Sequence, residues 1–379
     1  MTRLKRTEAV KTAARDLGFD PVGVAPALPP EHWPFFEKWL SDGHAGEMAW
    51  LSRNGERRQD PTQIVPGARS IVCVGMNYEP PESPKESPDR ASGRISRYAR
   101  GDDYHDVMKS RLMELLRLIQ ELDLGAEGRV YVDTGPVLER DHAARAGLGW
   151  FGKHTNLIHL EKGSWFFLGE IIVTTDLIPD APVTDHCGTC RLCMDACPTN
   201  AIPAPYVLDS TRCISYLTIE LRGPIPDDLR PGMGRWVYGC DVCQEVCPWN
   251  QKHAHPTAEP AFQSRDGFEA PDLQELLGLD PEAFSRRFRK SPIKRTKRRG
   301  LLRNAAVALG NLKRPESVPA LAKALGDQEP LVRGHAAWAL GEIGGEAAVA
   351  ALREAEGEED EDVKLEIGKA LGKAMTSDE

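Results

Sequence analysis

Apolar residues recur at helical spacing through residues 4–17, 33–40 and 105–122, a period that lines one face of an amphipathic helix. Between them lie β-rich runs at 70–76, 129–133, 156–160 and 165–174, bounded by Gly and Pro. Bounded runs of this kind predict strands. The alternation predicts an α/β domain over residues 1–179. From residue 256 the pattern is helical and repeats itself. Asn304-Ala-Ala-Val-Ala-Leu-Gly310 returns 31 residues later as His335-Ala-Ala-Trp-Ala-Leu-Gly341, and Lys369-Ala-Leu-Gly372 keeps the step. Val318 to Leu321 is answered in the same register by Val349 to Leu352. A helix pair with small contact residues cannot bury its apolar face alone, so neighbours must stack. Residues 256–379 are therefore expected to form an all-α domain of HEAT-like repeats.

With 379 residues, 41% hydrophobic and 28% charged, the chain has the composition of two or three ordinary domains with a sizeable core. No apolar stretch approaches the roughly 18 residues a membrane span needs. The start, Met1-Thr2-Arg3-Leu4-Lys5-Arg6, leads into a charged amphipathic pattern without the apolar core of a signal peptide. A cytoplasmic monomer with no membrane partner is expected. The net charge of −9 argues by itself against a polyanionic partner, but the charge is uneven. Residues 286–299 hold nine basic side chains and no acid, while residues 354–362 hold seven acids. The acidic run is expected to be a solvated face. The basic run ends where a helical pattern begins, so its cations crowd one helix end and a loop. That crowding suits a phosphate backbone, with a solvated surface as the alternative.

Between the α/β and helical segments, the periodicity of residues 180–255 gives way to cysteines. The runs are Cys187-x2-Cys190-x2-Cys193-x3-Cys197-Pro198 and, after a solitary Cys213, Cys240-x2-Cys243-x3-Cys247-Pro248. This is the spacing of a ferredoxin-like module with two 4Fe-4S clusters, in which the cysteine before proline ligates the other cluster. The crossing rule assigns Cys187, Cys190, Cys193 and Cys247 to one cluster and Cys197, Cys213, Cys240 and Cys243 to the other. Structural zinc also takes C-x2-C pairs but does not need this longer run. A disulfide framework would spread its cysteines rather than crowd them into about sixty residues. Cys73, in the apolar run Ile71-Val72-Cys73-Val74, is expected to be a buried, inert thiol.

Clusters move single electrons, so the α/β domain should hold whatever receives them. The chain has no C-x3-C-x2-C triplet, no G-x-G-x-x-G after a strand and no D-x-H-x-x-G, absences that narrow the cofactor without naming it. In Val132-Asp133-Thr134-Gly135-Pro136-Val137-Leu138-Glu139-Arg140 a carboxylate closes a predicted strand beside a forced turn. There it could project into a cleft, where partial desolvation would raise its pKa and let it donate a proton. A turn-capping aspartate is the alternative. The loop Gly147-Leu-Gly-Trp-Phe-Gly152-Lys153-His154-Thr155-Asn156 is not a phosphate loop, since His154 stands where that motif needs Ser or Thr; its glycines could admit a flat, bulky cofactor or simply make turns.

The order V-D-T-G-P-V-L-E-R, G-L-G-W-F-G-K-H-T-N-L-I, W-F-F-L-G-E-I and the two cysteine runs with C-I-S-Y-L-T between them resembles the epoxyqueuosine reductase family. The resemblance runs through the helical tail and so covers nearly the whole chain. It implies a corrinoid-binding α/β domain, cobalamin and two 4Fe-4S clusters as cofactors, and reduction of epoxyqueuosine to queuosine at the tRNA wobble position, the last step of queuosine biosynthesis. It implies that Asp133 is the proton donor. Implied corrinoid contacts are Arg58, Ser96, Arg97 and Asp133, then Lys153, His154, Thr155, Asn156, Leu157, Leu168, Ser215 and Asp241. His154 stands where asparagine is usual in the motif. Electrons would come from a ferredoxin- or flavodoxin-type donor. The substrate would be the anticodon stem-loop, its modified base splayed out of the stack. Lys294, Arg295, Lys297, Arg298, Arg299 and Arg303 are the candidates for gripping tRNA, with Arg333 placed on the same surface.

Two other readings stay open at this level. A reductive dehalogenase is similar in placing a corrinoid domain before two clusters, but it usually carries an export signal and has no reason for a basic stripe or helical repeats. Alternatively, the chain could be an electron-transfer subunit docked through its repeats on a larger reductase.

Overall fold

The computed structural model describes residues 1–81 and 91–376. The chain divides into two compact units, each built from separated segments. Met1–Glu82, Gly101–Ser210 and Val242–Gln263 form the first; Ser83–Arg100, Thr211–Asp241 and Ser264–Glu379 form the second.

A four-stranded sheet organises the first unit, in the order Val22–Pro26, Ser70–Asn77, Phe166–Val173, Gly128–Tyr131. Every neighbouring pair is antiparallel. The two central strands are buried along nearly their whole length, which is why they read as continuous apolar runs rather than alternating ones. The helix Tyr104–Leu122 packs on one face. Gly169 permits the approach: a Cβ there would lie 2.9 Å from Leu112 Cδ1 and 3.1 Å from Met108 Cε, one helical turn apart. The short helix Glu139–Arg145 covers the other face, where Ala25, Ile71, Cys73, Ala143, Ala146 and Ile172 form a core. Cys73 is fully buried, and burial holds its thiol well above the usual range.

The strand Val22–Pro26 has no counterpart in the sequence expectation. It is an edge strand with a glycine and a terminal proline, residues that weaken a strand signal but are tolerated at an edge. The run at 156–160 pairs only over Leu157–Ile158, in a small hairpin with Trp150–Phe151.

In the second unit, the parallel pair Arg94–Ile95 and Trp236–Tyr238 shares a core with the helices Leu273–Leu277, Lys297–Leu312, Pro330–Ile343 and Glu361–Thr376. The repeat is visible in atomic contacts. A Cβ on Gly310 would lie 2.9 Å from Ala339 Cα, and one on Gly341 would lie 2.7 Å from Ala370 Cα. Successive helices therefore touch backbone to backbone at equivalent positions, and only glycine leaves room. No described helix is long and apolar enough to cross a membrane.

Candidate functional site

The strand Gly128–Tyr131 ends two residues before Asp133, so the carboxylate stands on a loop. Its backbone is left-handed, with φ of 58°, a region unfavourable for residues other than glycine. Local bonds hold it there. Its N–H donates to Glu139 Oε1 at 2.5 Å, and Thr134 N–H donates to the Val132 carbonyl at 2.6 Å. Asp103 caps the helix Tyr104–Leu122, its Oδ1 accepting the His105 N–H at 3.1 Å. That cap sets both first-turn residues toward Asp133. Tyr104 donates its hydroxyl to Oδ2 at 2.9 Å, and His105 Nε2 lies 3.5 Å from the same oxygen. His105 Nδ1 is 2.7 Å from Asp103 Oδ1, and the Tyr104 ring stacks on Phe167 with centroids 4.1 Å apart.

These contacts reverse one expectation. The surrounding protein pushes the Asp133 carboxyl up, but the close approach of His105, the hydroxyl donated by Tyr104 and the charges of His105 and Arg140 outweigh it. The net displacement is downward. Its side chain keeps 63% of its accessible surface. Burial would likewise lower His105, yet its bond to Asp103, its approach to Asp133 and the charges of both carboxylates raise it to about 9. Asp133 is thus a carboxylate paired with an imidazolium at neutral pH. Sequence reasoning missed His105, Tyr104, Glu139 and Glu170 as members of this cluster. Glu139 and Glu170 lie inside the quoted motifs, and a glutamate in the middle of an apolar strand pattern was the available signal.

Cys187, Cys190, Cys193 and Cys247 line one cavity of about 50 Å³, together with Lys153, His154, His186 and Trp249. Burial raises all three of Cys187, Cys193 and Cys247, with Cys193 at about 11; the Lys153 N–H and the Trp150 indole act against this at Cys187. Lys153 Nζ donates to the carbonyls of Gly188 and Cys190, at 2.6 and 2.8 Å. Lys153 therefore shapes the cysteine loop through its ammonium group. His154 is buried; its Nδ1 accepts the Asn156 N–H at 3.2 Å, while Nε2 has no partner among the described residues, and burial lowers the ring to about 4. Thr155 has φ of 68°, and its carbonyl accepts from Arg140 at 2.7 Å. Leu157 is core, packed with Ile71 and Ile172, so its side chain is not available to a ligand. Leu168 is half-buried. Arg58 is buried, its guanidinium bound to the carbonyls of Leu51 and Arg53. The second set of thiols is distributed: Cys197 accepts the Ala201 N–H at 3.3 Å, Cys243 packs beside Cys193 and Met194, and Cys213 and Cys240 belong to the second unit.

In the second unit, buried Asp241 accepts from the Ser96 hydroxyl and, at 2.9 Å, from the Arg97 N–H. Ser215 is half-buried at the start of the helix Ile214–Ile219. The basic run separates into two groups. Lys294, Arg295, Lys297 and Arg299 are exposed, with Arg295 paired to Glu220 at 2.9 Å. Arg298 is held by Asp327 and by the Leu279 carbonyl. Arg303 is fully buried, donating to the carbonyls of Leu217, Leu221 and Gly223 and to Asn304. Its expected tRNA contact is thereby overturned, because a guanidinium spent on backbone carbonyls inside the unit cannot meet a phosphate. Arg333 is likewise engaged with Glu358 at 2.6 Å, and that bond holds Glu358 at about 2.

Three family models match the chain. Residues 58–134 match one described as "Epoxyqueuosine reductase QueG, DUF1730", residues 186–250 a 4Fe-4S double cluster binding domain, and residues 295–372 HEAT repeats. The epoxyqueuosine reductase of Xanthomonas campestris is 44% identical over 335 residues, covering 87% of this chain and 94% of its own. That of Escherichia coli is 42% identical over 334 residues, 88% of each. A crystal structure of epoxyqueuosine reductase with an epoxyqueuosine-modified tRNA-Tyr stem loop superposes with a TM-score of 0.91 at 32% identity, covering 98% of this chain and 99% of the other. The Bacillus subtilis structure, whose catalytic aspartate loop is swung out of its active site, gives 0.90 at 31% identity, with 97% and 99% covered.

Proposed function

The chain belongs to the epoxyqueuosine reductase family and acts on tRNA in queuosine biosynthesis, and from that premise we propose that Asp133 delivers protons to the opening epoxide. The observation that carries this is the Asp133 loop: a left-handed backbone presents an exposed carboxylate whose one oxygen meets both Tyr104 and His105. His105 keeps a proton within 3.5 Å, so the carboxylate can take it up as charge develops on the substrate oxygen and pass it on. The catalytic aspartate loop of the Bacillus relative supports the same role.

The chain carries a 4Fe-4S double-cluster domain. We assign Cys187, Cys190, Cys193 and Cys247 to the first cluster, supported by the cavity they share. Cys197, Cys213, Cys240 and Cys243 form the second set on spacing. A ferredoxin- or flavodoxin-type protein would be the electron source.

For cobalamin, the fit rests on one buried polar atom left without a partner among the described residues. A corrin carries amide arms around a flat apolar face, and the buried His154 Nε2, on the loop that also carries Asn156 and the left-handed Thr155, is a polar atom that such a group could satisfy. Half-buried Leu168 offers apolar surface. Cobalamin, when bound, supplies a strongly reducing metal centre. His154, Thr155, Asn156 and Leu168 would hold it. The exposed cations Lys294, Arg295, Lys297 and Arg299 would hold the stem-loop backbone, as the relative crystallised with a tRNA stem loop suggests.

The test is anaerobic purification with reconstituted clusters, followed by added cobalamin and epoxyqueuosine-containing tRNA. Binding of the corrinoid and appearance of queuosine by nucleoside chromatography are expected. A protein with full iron content that binds no corrinoid would refute the cobalamin assignment.

A further inference from the structure

Reduction of an epoxide to an alkene breaks both C–O bonds, forms the C=C bond and releases the oxygen as water. Each turnover therefore takes up two electrons, here from a low-potential ferredoxin- or flavodoxin-type donor, and two protons. Asp133 can hand over one proton before it must be reloaded, and its contacts with Tyr104 and His105 favour the carboxylate at rest. His105 is one neighbouring source. A second lies beneath the loop.

Glu170 occupies the middle of the strand Phe166–Val173, opposite Cys73 on one neighbouring strand and Tyr131 on the other. It has no exposed surface, and neither carboxyl oxygen meets an N–H or hydroxyl donor among the described residues. The helix that begins at Glu139 packs against this strand, and the carboxyls of Glu139 and Asp133 act on Glu170. Glu139 in turn accepts the Asp133 N–H at 2.5 Å, so three carboxyl groups form one contiguous cluster. Two facing carboxyls without a donor between them cannot both be ionised, and a hydrogen bond between them requires a proton.

We propose that Glu139 and Glu170 form a proton-holding pair beneath Asp133, which reloads its carboxylate during turnover. The inference rests on Asp133 being the group that delivers protons. Burial, followed by the charge of Asp133, raises Glu139 to about 8; burial, followed by the charge of Glu139, raises Glu170 well above the usual carboxyl range. The other groups facing the pair do not cancel this. Arg140 lowers Glu139, but its guanidinium is engaged with the Thr155 carbonyl at 2.7 Å. Cys73, across the strand, is a neutral thiol, and His105 faces Asp133. Both C–O cleavages can then draw a proton from within the protein, with the pair refilled from solvent between turnovers.

The experiment is infrared pH-difference spectroscopy of the full-length protein with reconstituted clusters, comparing wild type with Glu170→Gln, Glu139→Gln and Asp133→Asn. A carboxylic-acid C=O band is expected at pH 7 in wild type and Asp133→Asn, its Glu139 part fading as pH passes about 8, and weakened and shifted in each glutamine variant, which keeps a single buried acid. Turnover of Glu170→Gln is expected to fall about tenfold or more, with an altered pH profile. A wild type without the band, a band unchanged in intensity and position in both glutamine variants, or glutamine variants with wild-type rate and pH profile would overturn the pair. Should Glu170→Gln not fold, Glu139→Gln decides by the same readouts. An active Asp133→Asn with the band intact would refute the role of Asp133, a result distinct from loss of the band.

Discussion

Asp133 owes its position to three neighbours that differ in kind: a helix cap that aims Tyr104 and His105, a carboxyl that takes its N–H, and a turn that keeps its backbone left-handed. Asp133→Asn preserves that geometry and removes the titratable group. We expect the variant to keep both clusters and any bound corrinoid while losing turnover on epoxyqueuosine-containing tRNA; measurable full activity would end the assignment. The same contacts make stability depend on pH. The folded His105 binds its proton more tightly than an unfolded histidine, so its contribution is fully present below about 6.5 and is lost as pH rises through about 9. Glu139 has the same sign, its raised value making protonation part of the folded state, with stability lost as pH climbs through about 8. Thermal melts of wild type should therefore fall between pH 6.5 and 9, and the fall should shrink in His105→Gln. An identical decline in that variant would show that the charge pair contributes nothing. At this scale the sequence singled out Asp133 but expected the opposite direction for its pKa, because the groups that lower it come from a helix that begins 29 residues earlier in the chain.

Among the elements, the helix Lys297–Leu312 shows how one run of cations serves opposite ends. Its first turn presents Lys297 and Arg299 to solvent, while Arg298 turns to Asp327 and Arg303 is buried. Charge reversal at Lys297 and Arg299 is expected to weaken binding of a tRNA stem-loop and to flatten its salt dependence, measured by titration at several ionic strengths. Arg303→Met should behave differently. It strips a donor from three carbonyls at once, so a loss of about 3 kcal/mol in unfolding free energy is expected, seen by denaturant titration. If it instead lowered tRNA affinity while stability held, the structural role would be wrong. A charge run is visible in a sequence, but the partner of each cation is not: Asp327 lies 29 residues from Arg298 and Leu217 lies 86 from Arg303.

For the whole molecule, the cysteine spacing makes a prediction that spans distant parts of the chain. Cys247→Ala should abolish one cluster and leave the other, so that iron content after reconstitution falls by about half; loss of no iron would contradict its place in the first set. The sequence by itself determined the periodic features: the helical repeats, because stacking glycines and alanines must recur at equal steps, and the double-cluster domain, because a short loop fixes thiol spacing. It also marked the motif around Asp133. Only the tertiary structure decided how segments combine. By packing, the chain forms two compact units built from separated segments, and residues 211–241 bond to the helix Lys297–Leu312 through Arg303 and Asn304. It alone brought Glu139 and Glu170 together under Asp133, for their approach depends on antiparallel pairing and on which face of the sheet a helix covers. Contacts made within a turn or a repeat are encoded in local spacing, whereas contacts across a sheet depend on packing that no local pattern records.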